Sequence, residues 1–418
     1  MISINETHAA DLVSWVDSAN AVGSEFPIQN LPFGIYRASA GDDPRACVAI
    51  GSQVFDLAGV DAAMGPNLNA LAAAGHNTWH DLRGKLSSAL SDKSQQARLE
   101  KYCRPMSAVQ MMLPVQCGDY TDFYTSYYHA HNVGSLFRPD NPVMPNFKWL
   151  PVAYHGRASS MVISGTDVYR PNGQRLLADK TDPEFGPCER LDYEVELGLI
   201  VGPGNAMGDR VLPSEAEQHI FGLVLLNDWS ARDVQAFEYQ PLGPFLAKNF
   251  ATTLSPWVVT LEALAPYRVP AAERFAGDPA CPPHLDFVGN ETWGQIDINV
   301  EAWLGTGGPP EQLSSATYAS AYWSPAQLVA HHTSGGCPLM PGDILGTGTI
   351  SGPRPEEAGA LLELSKGGQQ PVKLQAGKQR SFLLDGDEVV LRGHCKKAGF
   401  ASIGFGEAAG RILPAKKF

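Results

Sequence analysis

A chain of 418 residues exceeds what one compact core usually serves, since domains run to roughly 100–200 residues, so two units or one large β-rich unit with an appendage are expected. Composition of 44% hydrophobic and 18% charged residues is globular, and 42 Gly with 32 Pro but no G-X-Y period exclude collagen and disorder and favour a turn-rich β architecture. The 31 Lys and Arg against 44 Asp and Glu leave a net charge of −13, which repels phosphate backbones and anionic membrane surfaces and argues against a nucleic-acid or membrane partner.

The opening Met1-Ile-Ser-Ile-Asn-Glu-Thr-His has no basic segment followed by an apolar core, and no run approaches the ~18 apolar residues of a membrane span. Seven cysteines, odd in number and without a C-x-x-C pair, indicate reduced thiols and neither a disulfide framework nor a thiolate zinc site. A cytoplasmic protein is expected. Between about 30 and 60, short apolar runs (Gly34-Ile-Tyr, Ala46-Cys-Val-Ala-Ile, Val54-Phe-Asp-Leu) separated by Gly, Asp and Pro read as small antiparallel strands in a barrel or meander. Residues 60–103 turn helical around Leu68, Leu71 and Leu82 until Arg104-Pro105 and Leu113-Pro114 break the pattern. The expected domains are therefore 1–115 and 116–418.

Asp119 to Gly134 reads as one helix capped by Thr121, on which Asp122 and His129, seven residues apart, share a face to within about 20°. Strands are then expected at 191–201, 220–228, 255–261, 294–303, 343–349, 360–364, 381–391 and 399–406. In Leu191-Asp-Tyr-Glu-Val-Glu-Leu, period-2 alternation sets Asp192, Glu194 and Glu196 on one face. Same-face acids repel, and a buried set needs a cation. Asp228 closes the apolar run from Phe221, and Ser230 with Asp233 forms a capping box for a helix carrying Arg232, Gln235 and Tyr239 on one side. The all-oxygen set Asp122, Glu194, Glu196 and Asp228 favours a hard cation, calcium or magnesium, over zinc or copper.

The Gly-rich strings at 202–208, 346–352 and 404–410 are each one residue too long for G-x-G-x-x-G and read as turns. The sequence has no G-x-S-x-G elbow, no H-E-x-x-H and no P-loop lysine, so serine-hydrolase, zincin and NTPase readings lose support.

Eight strings in order carry a resemblance: Asp119-Tyr-Thr-Asp-Phe-Tyr, His129-Ala-x-Asn-Val-Gly, Tyr154-His-Gly-Arg-Ala-Ser-Ser, Asn227-Asp-Trp-Ser-Ala-Arg-Asp, Pro241-Leu-Gly-Pro-Phe-Leu, Pro341-Gly-Asp-x-Leu, Gly348-Thr-Ile-Ser-Gly and Leu384-Asp-Gly-Asp-Glu-Val. With them the chain resembles the fumarylacetoacetate hydrolase family. The resemblance implies a mainly β protein, an N-terminal SH3-like small barrel followed by a C-terminal mixed β-sandwich roll with short helices, assembled as a homodimer. It implies hydrolysis of the carbon–carbon bond of 4-fumarylacetoacetate to fumarate and acetoacetate, the last step of tyrosine and phenylalanine catabolism. His129 is then the general base and Glu363 its orienting carboxylate. Asp122, Glu194, Glu196 and Asp228 hold calcium, while Asp228, Lys248 and Thr252 match a magnesium site. Tyr124, Arg138, Tyr154, Gln235, Tyr239 and Thr349 contact substrate, and Arg232, Gln235 and Lys248 surround the developing carbanion.

This chemistry needs these residue types. Water attacks a ketone poorly, and imidazole titrates near neutrality, which suits a general base. The carbon leaving group becomes tolerable when a cation and fixed donors meet its charge. Two rival readings follow from the same residues. One is a metal-dependent hydrolase or decarboxylase of another diketo acid such as an acylpyruvate; the other is a non-catalytic calcium-stabilised β scaffold.

Overall fold

The computed structural model describes residues 2–62, 64–177 and 180–417. It is mainly β, as expected. Strands β1 (Phe33–Arg37), β2 (Arg45–Ile50) and β3 (Gln53–Asp56) form where short apolar runs meet Gly and Asp turns. The helix α1 (His76–Ser91) follows, burying Trp79, Leu82, Leu86 and Leu90. Strands β4 (Cys103–Pro105) and β5 (Gln110–Met112) complete an antiparallel sheet in the order β4-β3-β2-β1-β5. Phe33 and Val258 exchange backbone hydrogen bonds at 3.0 and 2.8 Å, joining this sheet to the rest of the chain.

The central mixed sheet holds the functional residues. Its strands are β6 (Tyr120–Phe123), β7 (Ala153–His155), β8 (Met161–Ile163), β9 (Val195–Val201), β10 (Ile220–Asp228), β11 (Thr252–Leu254) and β12 (Ile344–Gly346), in the order β7-β6-β12-β9-β10-β11-β8. Both β9 and β10 are buried along their whole length. The cause is burial on two faces: Leu223 and Leu225 pack toward Val300, Leu304 and Leu391 of a second sheet, while Phe221, Val224 and Leu226 pack with Phe33, Trp79 and Leu86 of the N-terminal unit. A strand covered on both sides reads as a continuous apolar run. The second sheet, with strands Glu311–Thr317, Asn299–Gly305, Glu388–Cys395, Ile403–Leu413 and Val168–Tyr169 in that order, makes the other half of the sandwich.

Four expectations about local structure are corrected. Residues 119–134 are not one helix: Tyr120–Phe123 is β6, and helix α2 (Tyr127–Phe137) starts only after Ser126, whose hydroxyl accepts from the His129 amide at 3.2 Å. Thr121 therefore caps nothing, and Asp122 and His129 share no helix face. The sheet won because Tyr120 and Asp122 pair with Ile344 and Gly346 in parallel register. The segment 360–364 is a one-turn helix, Leu361–Leu364, and no strand. Ser230 does not cap the helix α3 (Arg232–Glu238); its hydroxyl donates to Asp228 O at 3.0 Å, and Asp233 instead accepts from Glu189 N at 2.7 Å. The string at 404–410 is no turn, because it lies inside the strand Ile403–Leu413, where Gly410 leaves room for the ring of Trp229, whose carbon stands 2.7 Å from where a Cβ would sit.

Other strands are shorter than expected: Leu191–Asp192 is separated from Val195–Val201, and within 255–261 the strand is Val259–Thr260 alone, with Val258 in an isolated bridge to Phe33. All seven cysteines are free. Among the described residues no helix is long and apolar enough to cross a membrane.

Candidate active site and cation site

The first turn of α2 carries His129, 3% exposed. Its Nδ1 stands 2.6 Å from Glu363 Oε1, and its ring meets Tyr124 edge-on at 5.3 Å between centroids. Burial pushes the Glu363 carboxyl up, but the facing imidazole and hydrogen bonds from Asn132 and Ser351 outweigh it and hold the group below the usual carboxylate value. A base whose Nδ1–H is fixed on a carboxylate has Nε2 left for a water molecule.

Glu363 is brought there by an acid whose role the sequence did not reveal. The amides of Leu361 and Leu362 donate to the two oxygens of Asp192 at 2.8 and 3.0 Å, so Asp192 seats the short helix bearing Glu363. The same carboxylate accepts from Arg232 Nε at 2.9 Å. Alternation grouped Asp192 with Glu194 and Glu196; its spacing carried no sign that it serves a helix more than 160 residues on. Asp192→Ala is expected to lower stability by about 3–5 kcal/mol, because Arg232 loses a buried counter-charge; urea unfolding measures it, and a shift below about 1 kcal/mol would reject this role for Asp192.

Sheet order draws the other acids together. Asp122 on β6, Glu196 on β9 and Asp228 at the end of β10 each bring a carboxylate oxygen to within 4.8 Å of the others, and all three are buried. Gly346, on β12 between β6 and β9, permits this: a Cβ there would lie 2.4 Å from Asp122 Oδ1. Among the described residues, both oxygens of Glu196 are buried without a hydrogen-bond partner. Burial first, then the neighbouring acids, push Asp122 and Glu196 well above the usual range. Three buried carboxylates, one of them with both oxygens unpartnered among the described residues, and no imidazole or thiolate in the set fit a hard divalent cation.

Glu194 stands apart from that triad. Its Oε1 pairs with Arg232 Nη1 at 2.6 Å and its Oε2 with Lys248 Nζ, so its oxygens face cationic side chains. Against the upward push of burial, Lys248 and Arg232 hold Glu194 below its ordinary value. Lys248 Nζ also donates to Asp228 Oδ2 at 2.5 Å, and Tyr154 donates to the same oxygen at 2.7 Å. The four-acid cage expected from the sequence is thus three acids beside a fourth held by two cations. Thr252 Oγ1 lies 3.5 Å from Asp228 Oδ1. Burial opposes charge on Lys248, but Asp228 and Glu194 more than offset it and raise the amine above its usual value. An ammonium offers no lone pair, so at the expected magnesium site this residue can serve a cation only through its backbone carbonyl.

Of the residues expected to meet substrate, Tyr124 and Gln235 join the cluster: the Tyr124 hydroxyl lies in the field of Glu363, Glu194, Arg232 and Arg138, and Gln235 accepts from Arg232 Nη1 at 3.3 Å. Tyr154 reaches it through Asp228. Arg138 ends α2 on the surface, its Nη2 donating to Pro142 O at 3.3 Å. Tyr239 lies just beyond α3, 41% exposed, and Thr349 is buried. Tyr120 was not anticipated: its hydroxyl is buried without a partner among the described residues, in the field of Asp122 and Asp228, and its ring fills the space left by Gly156, where a Cβ would lie 2.0 Å away.

A histidine–carboxylate dyad beside a buried triad of acids, set in a mixed β-sandwich, is the set of groups a hydrolytic enzyme could use to activate water and to hold a cation. The family description "Fumarylacetoacetase N-terminal" matches residues 29–114, and "Fumarylacetoacetate (FAA) hydrolase C-terminal" matches residues 120–412. The chain belongs to the fumarylacetoacetate hydrolase family. It is 44% identical over 425 residues to the fumarylacetoacetase of Arabidopsis thaliana, covering 96% of this chain and 99% of that one. It is 44% identical over 416 residues to the fumarylacetoacetase of Homo sapiens, covering 94% and 98%. A solved structure of a fumarylacetoacetate hydrolase from the psychrophilic Exiguobacterium antarcticum shares the fold, with a TM-score of 0.53, 18% identity, and coverage of 92% of this chain and 100% of that one.

Proposed function

We propose that this enzyme hydrolyses the carbon–carbon bond of 4-fumarylacetoacetate to fumarate and acetoacetate, a step of tyrosine and phenylalanine catabolism. Near-full-length identity of 44% to fumarylacetoacetases supports the substrate, and the 2.6 Å contact between His129 and Glu363 is the observation that carries the mechanism. His129 Nε2 takes a proton from water as the water oxygen bonds to the carbonyl carbon of the fumaroyl group. The carbon–carbon bond then breaks, its electron pair stays on the acetoacetate carbon, and the imidazolium returns the proton there. Water is consumed once, its hydroxyl ending in fumarate and its hydrogen in acetoacetate.

Asp122, Glu196 and Asp228, with Glu194 beside them, would hold calcium; a bound divalent ion supplies Lewis-acid stabilisation to the diketone oxygens. Arg232, Gln235 and Lys248 place positive charge and a polar amide beside the leaving carbanion, and Glu194 and Asp228 keep Lys248 ionised until it is needed. Tyr124, Arg138, Tyr154, Gln235, Tyr239 and Thr349 take the substrate contacts. Magnesium near Asp228, Thr252 and the Lys248 carbonyl remains part of this reading. Turnover of fumarylacetoacetate and an acylpyruvate side by side tests it: a higher kcat/KM for the acylpyruvate would overturn the substrate assignment.

The enzyme acts as a cytoplasmic homodimer. Free cysteines support a reducing compartment, and Phe237, Leu242, Phe245 and Leu246, exposed by 40, 96, 66 and 38% within ten residues, support a surface covered by a second copy. Light scattering at the mass of one chain across micromolar concentrations would refute the dimer.

A further inference from the structure

We infer that Asn132 and Ser351 are positioning residues of the hydrolysis, which lock the Glu363 carboxylate in one orientation so that His129 keeps its proton on Nδ1 and aims Nε2 at water. The inference rests on His129 being the base. Glu363 is 3% exposed, and each of its oxygens is engaged: Oε1 accepts from His129 Nδ1 at 2.6 Å and from Ser351 Oγ at 2.9 Å, while Oε2 accepts from Asn132 Nδ2 at 2.8 Å. Asn132 follows His129 by three residues on α2, so one helix face delivers both the ring and the amide to one carboxylate. Bonded at both oxygens, the carboxylate cannot rotate without losing partners that burial denies it elsewhere.

Ser351 closes the arrangement into a ring. Its Oγ accepts from Gly359 N at 3.0 Å, which fixes the loop leading into the helix that bears Glu363. Its backbone carbonyl accepts from Ser126 Oγ at 3.0 Å, and that same Ser126 oxygen accepts from the His129 amide. The path from His129 through Ser126, Ser351 and Glu363 therefore returns to His129, tying ring, helix start and carboxylate into one unit. Both added donors are neutral, so the charge of Glu363 is left for the imidazolium. A lysine at 132 would compete for that charge, and an aspartate would repel it.

Asn132→Leu and Ser351→Ala test the assignment in the full-length, cation-loaded enzyme. Each is expected to lower kcat by about 10-fold or more, as losing an outer-shell partner commonly does, with KM within twofold of wild type. Proton NMR of histidine-¹⁵N protein without substrate should show a low-field Nδ1 proton for His129 in the wild type, absent in His129→Ala, and weakened or shifted upfield in both variants. Wild-type kcat with an unchanged resonance would overturn the inference, as would a loss confined to thermal stability. Should Ser351→Ala fail to fold, Asn132→Leu, at a half-buried position, decides alone. The wild type's failure to turn over fumarylacetoacetate would instead count against the proposed substrate, because the resonance is read without it.

Discussion

His129→Ala is expected to lower kcat for fumarylacetoacetate by at least about 10²-fold, with the divalent ion still bound. General-base catalysis of this kind supplies roughly 10²–10⁴ in rate, equivalent to about 3–5 kcal/mol of barrier. His129 touches no member of the acid triad through a hydrogen bond; its Nδ1 contact runs to Glu363. The variant should therefore retain cation affinity and substrate binding, with the loss confined to kcat. It also removes the partner that holds Glu363 below its ordinary pKa. A carboxylate with a depressed folded-state value contributes stability above its unfolded pKa, and that contribution disappears as pH falls through the folded value. The variant should thus lose a share of stability at neutral pH that narrows on acidification. Steady-state kinetics paired with calorimetric cation titration settles it. Unchanged turnover would remove His129 as the base and sink the mechanism.

Glu196→Gln should weaken divalent-cation binding by at least about 10²-fold, the upper end of what removal of even an outer-shell partner costs at such sites. Glu196 is the most telling acid because both its oxygens are buried without a partner among the described residues, whereas Asp228 is shared with Lys248 and Tyr154. In the cation-free chain the substitution should have the opposite sign and raise Tm, since it relieves repulsion among three buried carboxylates. The pH dependence follows from the raised values of Asp122 and Glu196. A carboxyl raised in the folded state contributes its full stability below its unfolded pKa, and that contribution is lost as pH rises through the folded value. The cation-free wild type should accordingly gain from acidification at these groups, and the rise in Tm on adding calcium should shrink as pH is lowered. Chelation should abolish turnover, and calcium or magnesium should restore it. Full activity after exhaustive chelation, or calcium affinity unchanged in the glutamine variant, would refute the cation site.

The chain's own order of residues carried a good deal of this. Apolar runs punctuated by Gly and Pro fix a mainly β protein, and the apolar run from Phe221 marked 220–228 as a buried strand, because a strand covered on both faces has no polar alternation. Acids at 122, 194, 196 and 228 could be gathered as oxygen donors on chemistry alone. Tertiary structure decided the rest, because pairing with distant strands overrides local periodicity. Parallel pairing with Ile344–Gly346 turned 120–123 into a strand and moved the helix cap to Ser126. Folding also sorted the acids: Glu196 is left without a partner among the described residues, Glu194 is given to Arg232 and Lys248, and Asp192 holds the helix of Glu363. Spacing along a strand sets which face an acid occupies, but whether a cation, a guanidinium or a helix end meets it depends on side chains tens to hundreds of residues away.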